Sequence, residues 1–444
     1  MNSQLRFRKD GTFRVLQLAD VQDGPEVSQD AIDLIEAAIE ESDPDLVVLT
    51  GDQIRGYDPA YLATFRSRHD SVSGEDIPLG IRLESVINGG CDGSKSVPDP
   101  ERALEDSRRK VLSTFQQFLA PIVSRGIPFA ATYGNHDFQC GVSIDEQDDM
   151  YRSFTGCLNP VSQSGDGHHN NEDPLVCETG TFCLPISSST GSQIAMGLMM
   201  VNSGDFAPQG GYGSPSAQAI EWLSNVEEAI SAQSDTDSVP SLVFQHIPVP
   251  EYYRCLNKVS PFTWHAVEGY RAFSDACYTL NQEVCRPGGI LGEGPCCSEE
   301  NVGEFQQLQD TSGYFAMFSG HDHKNAFIGN IDGIDLGYAP TCGFCSYGPK
   351  ASDRALRLLV FSEDDPAGYD SRLLTYGNLV ARRPRHPLRV LVGEYMVSGM
   401  PSLRDMLRNP KIAVGVLVVA MSALKVWCRA WSHKRLPHRT SYKS

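Results

Sequence analysis

The sequence predicts an α/β protein with its chemistry at the carboxyl ends of its strands. Three observations predict this. Five short apolar runs have the length of buried strands, each ends in a polar residue suited to bind metal, and amphipathic helical stretches separate the first of them. Open α/β sheets place their sites at such strand ends.

Taken in order, Phe13 to Ala19 ends at Asp20, and Leu46 to Thr50 ends at Gly51-Asp52. Pro128 to Tyr133 runs into Gly134-Asn135-His136-Asp137. Leu242 to Gln245 ends at His246, and Tyr314 to Phe318 ends at Ser319-Gly320-His321-Asp322-His323. Residues 29–41 carry Ile32, Ile35, Ala38 and Ile39 on one helical face and stop before Asp43-Pro44. Residues 102–120 repeat the pattern with Leu104, Val111, Phe115 and Phe118, ending at Pro121, and residues 216–230 with Ile220, Leu223, Val226 and Ile230. These apolar stripes are core packing.

Three stretches read as insertions, each after a metal-candidate strand and so placed to rim a site: 66–100, 139–178 and 253–305. The domain is expected to cover residues 5–362, with 363–410 as a linker and 411–444 as a tail. Within the tail, Ile412 to Leu424 is an unbroken apolar run of 13 residues, extendable to Trp431, ahead of Arg429, Lys434, Arg435 and Arg439. A spanning helix needs about 20 residues. Membrane association through 412–431 and packing on the protein both stay open. If the segment spans, the basic end predicts a cytoplasmic C-terminus.

A hydrophobic fraction of 41% describes a globular chain, and a net charge of −19 argues against nucleic acid as a partner. It does not exclude a phosphate ester, because bound cations reverse the local sign. Thirteen cysteines in 444 residues favour disulfides over a zinc ribbon at the lone Cys342-x-x-Cys345. The start, MNSQLRFRKDGTFRV, has no apolar stretch for a signal peptide. The cysteines and tail thus favour an endomembrane or lumenal setting, and a complete N-terminus a cytoplasmic one.

Hydrolysing a phosphate ester at neutral pH requires hydroxide and neutralised phosphoryl oxygens, and two cations about 3.5–4 Å apart supply both. Asp52 suits a bridge, since Gly51 allows close approach. Asp20 then serves one metal, Asn135 and His246 the other, and His321 and His323 divide between them. His136 is placed to meet the leaving oxygen and Asp137 to support the turn. Arg55 and Lys324 are weaker phosphate contacts, equally readable as solvated charges. His168, His169 and His265 are expected to have no ligand role.

This order of motifs resembles the calcineurin-like metallophosphoesterase superfamily, and most closely its short purple acid phosphatase-like branch of plants and fungi. The strings LRFRKDGTFRVLQLAD, PDLVVLTGD, GIPFAATYGNHD, VNSGD, FQHIPVPEY and FSGHDHKNAF carry the likeness over residues 5–362. It implies a four-layer α/β/β/α sandwich and a phosphatase using metal-activated hydroxide at a dinuclear Fe, Zn or Mn centre. It assigns Asp20, Asp52 and His323 to one metal, Asp52, Asn135, His246 and His321 to the other, and the catalytic position to His136. One departure stands out. The branch reads D-x-H at the first motif, and this chain reads Asp20-Val21-Gln22. The position of the family's tyrosinate is held by Arg55, and Tyr57 has the wrong spacing. Gln22 is a poorer ligand than imidazole, even with Asp23 assisting. The first site is therefore weak, tolerant of Mn or Mg, or empty. The activity is expected on monoesters, with a phosphodiesterase or a non-catalytic metal-binding scaffold as alternatives.

Overall fold

Leu46–Thr50 is buried throughout because the strand has an apolar layer on each face. The computed structural model describes residues 5–68, 99–161, 173–395, 400–414 and 421. In it Leu46 and Val48 join one layer, while Val47 and Leu49 join another. This is the two-residue period of a strand, and burial on both faces turns alternation into an unbroken apolar run.

The first part of the chain gives β1 (Thr12–Leu18), α1 (Gln29–Ser42), β2 (Leu46–Thr50), α2 (Pro100–Val123), β3 (Phe129–Thr132) and α3 (Ile144–Arg152). Next come β4 (Val176–Glu178), β5 (Thr181–Ser187), β6 (Ile194–Met200), α4 (Ala217–Ser234) and β7 (Ser241–Gln245). Short strands β8 (Leu256–Val259), β9 (Val267–Glu268) and β10 (Cys277–Leu280) precede α5 (Glu304–Asp310) and β11 (Tyr314–Ser319). The hairpin β12 (Ile328–Ile331) and β13 (Ile334–Tyr338) leads to β14 (Ala355–Ser362) and β15 (Asp365–Thr375). Helices α6 (Tyr376–Leu379), α7 (Pro387–Glu394) and α8 (Met400–Leu407) follow.

One sheet has the order β15-β14-β1-β2-β3 and a second the order β12-β13-β11-β7-β6-β5-β4. Between them lies a layer built from Phe13, Val15, Leu46 and Val48 on one side and Leu198, Leu242, Phe244 and Phe318 on the other. The outer face of the first sheet buries α1 and α2 through Leu34, Ile35, Phe115 and Phe118. The outer face of the second buries α4 and α5 through Trp222, Leu223, Val226 and Phe305. Helix, sheet, sheet and helix are thus four layers, as expected. Truncating a middle-layer ring such as Phe244, fully buried, should cost about 3–5 kcal/mol.

Three expectations need correction. The stretch 363–410 is not a linker at its start: β15 pairs antiparallel with β14 and extends the first sheet to Thr375. Only Pro366, Tyr369 and Leu374 of it are buried, which reads weakly as a strand. Helix α2 does not end at Pro121 but runs through it to Val123. The insertion 253–305 has its own sheet, ordered β8-β10-β9. Residues 69–98 of the first insertion, 162–172 of the second (with His168 and His169), and most of the 412–431 run lie outside the described residues. Among the described residues no helix is long and apolar enough to cross a membrane. The eleven described cysteines are all free, whereas disulfides were expected.

Candidate metal centre

Strands β1, β2 and β3 are parallel neighbours in one sheet, and β7 and β11 in the other. The residues that follow them meet at one edge of the sandwich. Two glycines make the meeting possible. A Cβ on Gly51 would lie 2.6 Å from Gly134 N and 2.8 Å from His246 Nδ1, and one on Gly134 would lie 2.3 Å from Asp52 Oδ1. Only bare backbone lets the β2 and β3 turns touch while His246 slides between them. Asp20, Gln22, Asp52 and His321 adopt left-handed φ of 56°, 44°, 51° and 71°. Non-glycine residues with such φ are uncommon and cluster at functional sites.

Asp52 is the centre of the cluster. Its Oδ1 accepts the His136 N–H at 2.7 Å, and its Oδ2 lies 3.2 Å from His246 Nε2 and accepts from Gln22 Nε2 at 3.3 Å. His321 Nδ1 is 3.2 Å from His246 Nε2, and the ligand atoms of Asp52, His246 and His321 all fall within 4.8 Å of one another. On the other flank, Asp20 Oδ2 accepts the His321 N–H at 3.0 Å and Asp20 Oδ1 lies 3.3 Å from His323 Nε2.

Two imidazoles are locked in the same way. His246 Nδ1 donates to Thr50 O at 2.8 Å, and His323 Nδ1 donates to Tyr347 O at 2.7 Å. A proton on Nδ1 leaves Nε2 as the lone-pair nitrogen of the neutral ring. Each Nε2 then faces a carboxylate, an arrangement that is repulsive without a cation or a proton between. Outer-atom anchoring of this kind accompanies histidine ligation of metals. Without a metal the protein answers with protons. Burial pulls His246 down, but Asp52 and Asp20 outweigh it and raise the imidazole to about 10. Burial likewise opposes His323, and Asp20 raises it.

Several buried polar atoms here have no hydrogen-bond partner: both amide atoms of Asn135, Oε1 of Gln22 and Nε2 of His321. Buried polar groups are seldom left so. Of these, Asn135 Oδ1, Gln22 Oε1 and His321 Nε2 can offer lone pairs beside two buried carboxylates, and this set fits divalent or trivalent cations.

Asp137 supports the cluster from behind. Its carboxylate accepts the backbone N–H groups of Asp52, Gln53, Ile54 and Gly134 at 2.8–3.0 Å. Burial and the adjacent Asp52 push its pKa up, and the donated N–H groups oppose this. Around the first motif, Thr341 Oγ1 donates to Asp20 O at 2.6 Å and Cys342 Sγ to Ala19 O at 3.2 Å. Gly343 N also donates to Asp20 O at 3.2 Å. Residues 341–343 therefore clamp the Asp20 turn, and the first cysteine of the C-x-x-C takes part in it. Asp23 accepts the Ser28 N–H at 2.9 Å, so its partners lie outside the cluster.

His136 is the least buried of the histidines here. Its Nδ1 bonds Gln139 Oε1 at 2.7 Å, and its Nε2 lies 3.9 Å from Asp52 Oδ2. Arg55 pairs with Asp58 at 3.4 Å and stacks over Tyr57, whose ring packs against His136 at 4.6 Å. Lys324 lies over Tyr347. His265 bonds backbone far from the cluster, at Arg408 O. The rings of Phe206, Tyr212 and Tyr347, which touch His136, His321 and His323, went unread in the sequence. Only the VNSGD string, ending one residue before Phe206, pointed there.

A sequence profile of calcineurin-like phosphoesterases matches residues 13–325. The chain belongs to this family. As a calcineurin-like phosphoesterase it is a member of a class of metal-dependent phosphoester hydrolases. It is similar to the probable inactive purple acid phosphatase 14 of Arabidopsis thaliana, at 22% identity over 80% of this chain and 77% of that one. The probable inactive purple acid phosphatase 28 of the same plant is 23% identical, over 81% and 77%. Among solved structures, a dimetal phosphatase from Danio rerio is 12% identical with a TM-score of 0.40, covering 82% of this chain and 99% of that one.

Proposed function

We propose that the protein hydrolyses phosphate monoesters with two bound cations. The observation that carries this is the matched lock on His246 and His323, each with Nδ1 on a backbone carbonyl and Nε2 against a carboxylate. Asp52 lies between the two histidines' groups and would be the carboxylate shared by both cations. Asp20, His323 and the Gln22 carbonyl would hold one, and Asn135, His246 and His321 the other. When bound, the cations would neutralise the phosphoryl oxygens and lower the pKa of water. His136 meets the leaving oxygen. Gln139 holds its Nδ1, so Nε2 is the atom free to face the ester. With Nδ1 donating to Gln139, only the imidazolium carries an Nε2 proton; burial pulls the His136 pKa down against the pull of Asp52, so that proton, once held, is readily passed on. Asn135 orients the phosphoryl group, with Arg55 as a weaker outer contact.

Gln22 favours a second reading, a non-catalytic metal-binding scaffold, and the relatives' names include the word inactive. Purified protein with Mn, Zn or Fe should turn over p-nitrophenyl phosphate faster than its bis ester. A preference for the bis ester would make the protein a phosphodiesterase. No turnover of either, with metal bound, would leave the scaffold.

A further inference from the structure

After β6 the chain folds back on itself. Phe206 pairs with Tyr212 as an isolated antiparallel bridge, and Ala207 N donates to Gly211 O at 2.9 Å. Cross-strand partners carry their side chains on one face, and these two rings stack 5.5 Å apart at 30°. That face borders the metal centre. Tyr212 meets His321 edge-on at 4.2 Å, and Phe206 lies 6.1 Å from His136. Tyr57 packs against His136 at 4.6 Å, and Tyr270 continues the row 5.5 Å from Tyr212.

Core packing does not account for this row. All four rings are only partly buried, unlike the sealed rings of Phe244 and Phe318 between the sheets. The hairpin is also braced. Glu299 pairs with Arg271 and donates its N–H to Tyr212 O at 3.0 Å, and Arg68 Nη1 donates to Pro208 O at 2.7 Å. A braced, open aromatic row that touches a histidine of each role is a surface built to receive something.

We infer that Tyr57, Phe206 and Tyr212 form a leaving-group subsite, for a phosphate ester whose flat aromatic ring sits at or one carbon from the ester oxygen. This rests on the phosphomonoesterase reading above. His136 is the group nearest the leaving oxygen there, and its own ring neighbours are Tyr57 and Phe206. The first atoms beyond that oxygen therefore fall among rings, where a flat group stacks in offset or edge-on geometry. A base held away by a sugar would overshoot them.

Benzylphosphonate and cyclohexylmethylphosphonate carry the same anion and differ in the flatness of the ring. Titrated by calorimetry into the Mn-loaded full chain, the benzyl compound should bind about 3- to 10-fold more tightly. Phe206→Leu, and independently Tyr57→Leu, should bring the two affinities within about twofold by weakening the benzyl ligand. Phe262→Ala, on a loop where that ring is 92% exposed, should keep the wild-type ratio. Equal wild-type affinities, or a ratio that survives both leucine variants, would overturn the subsite and leave the phosphate reading standing. Failure of both phosphonates and of inorganic phosphate to bind would overturn the two together.

Discussion

The two halves of the proposed metal centre share one histidine lock and differ in the donors around it. Around His246 lie Asp52 and a second imidazole, His321, and Asn135 is the further donor proposed there. Around His323 lie Asp20, Asp52 and, where an imidazole was expected, the Gln22 amide. Both histidines are locked by a backbone carbonyl and both face a carboxylate. What differs is ligand strength, because an amide oxygen holds a transition metal more weakly than an imidazole nitrogen. Gln22 is nonetheless buried in the cluster, with its Oε1 unpaired and its Nε2 on Asp52. Oligomeric or substrate-bound arrangements are not needed to bring it there. In the proposed centre this half-site would be weakened rather than dismantled.

The largest test removes what the halves share. Asp52→Asn should lose metal at both positions and lower phosphoester turnover by at least about 10²–10³-fold. Metal content and turnover measured together check this, and two retained metals would mean that Asp52 is no bridge. Next in size is Asp137→Asn, which leaves every proposed ligand in place but breaks the fourfold acceptor behind Asp52. Metal affinity should fall about 10- to 100-fold. Unfolding stability should drop by about 1–3 kcal/mol as backbone N–H groups lose their partner, read from denaturant melts of the metal-free protein.

A pH series separates the halves more finely. In the metal-free protein the His246 imidazole is raised to about 10, so at neutral pH its site holds a proton that a cation must displace. Affinity at that half should rise as pH rises, by about tenfold per unit for one displaced proton, and level off above the raised pKa. Calorimetry in buffers of different ionisation enthalpy counts the protons released. No release at neutral pH would show that His246 is not displaced onto a metal. The smallest effect is expected from Gln22→His, which should raise metal occupancy of the weaker half by a few-fold, on the order of the tightening an imidazole brings. An unchanged stoichiometry of two would show that the amide was already sufficient.

The ligand-bearing strings could be read in the chain because each is local: a buried strand, then Gly-Asp, Gly-Asn-His-Asp or Gly-His-Asp-His. Their order, the strands that deliver them and the odd Gln22 are all matters of adjacent residues. Strand β15 escaped notice because most of its residues are not buried and its apolar signal is diluted. Pro121 misled because a proline usually ends a helix, whereas here Val123 still belongs to it.

The convergence itself belongs to the folded molecule. His321 donates its N–H to a carboxylate 301 positions earlier, and His246 reaches a carbonyl 196 positions earlier. No local pattern records such contacts, and they form only when the two sheets pack and bring His246 against Gly51 and Gly134. The same holds for the clamp of residues 341–343 on the Asp20 turn, and for the aromatic row that a hairpin after β6 lays beside His136 and His321. Residue type and strand order establish which donors are present. Packing across the two sheets, a long-range and cooperative event, determines which donors meet and what stands over them.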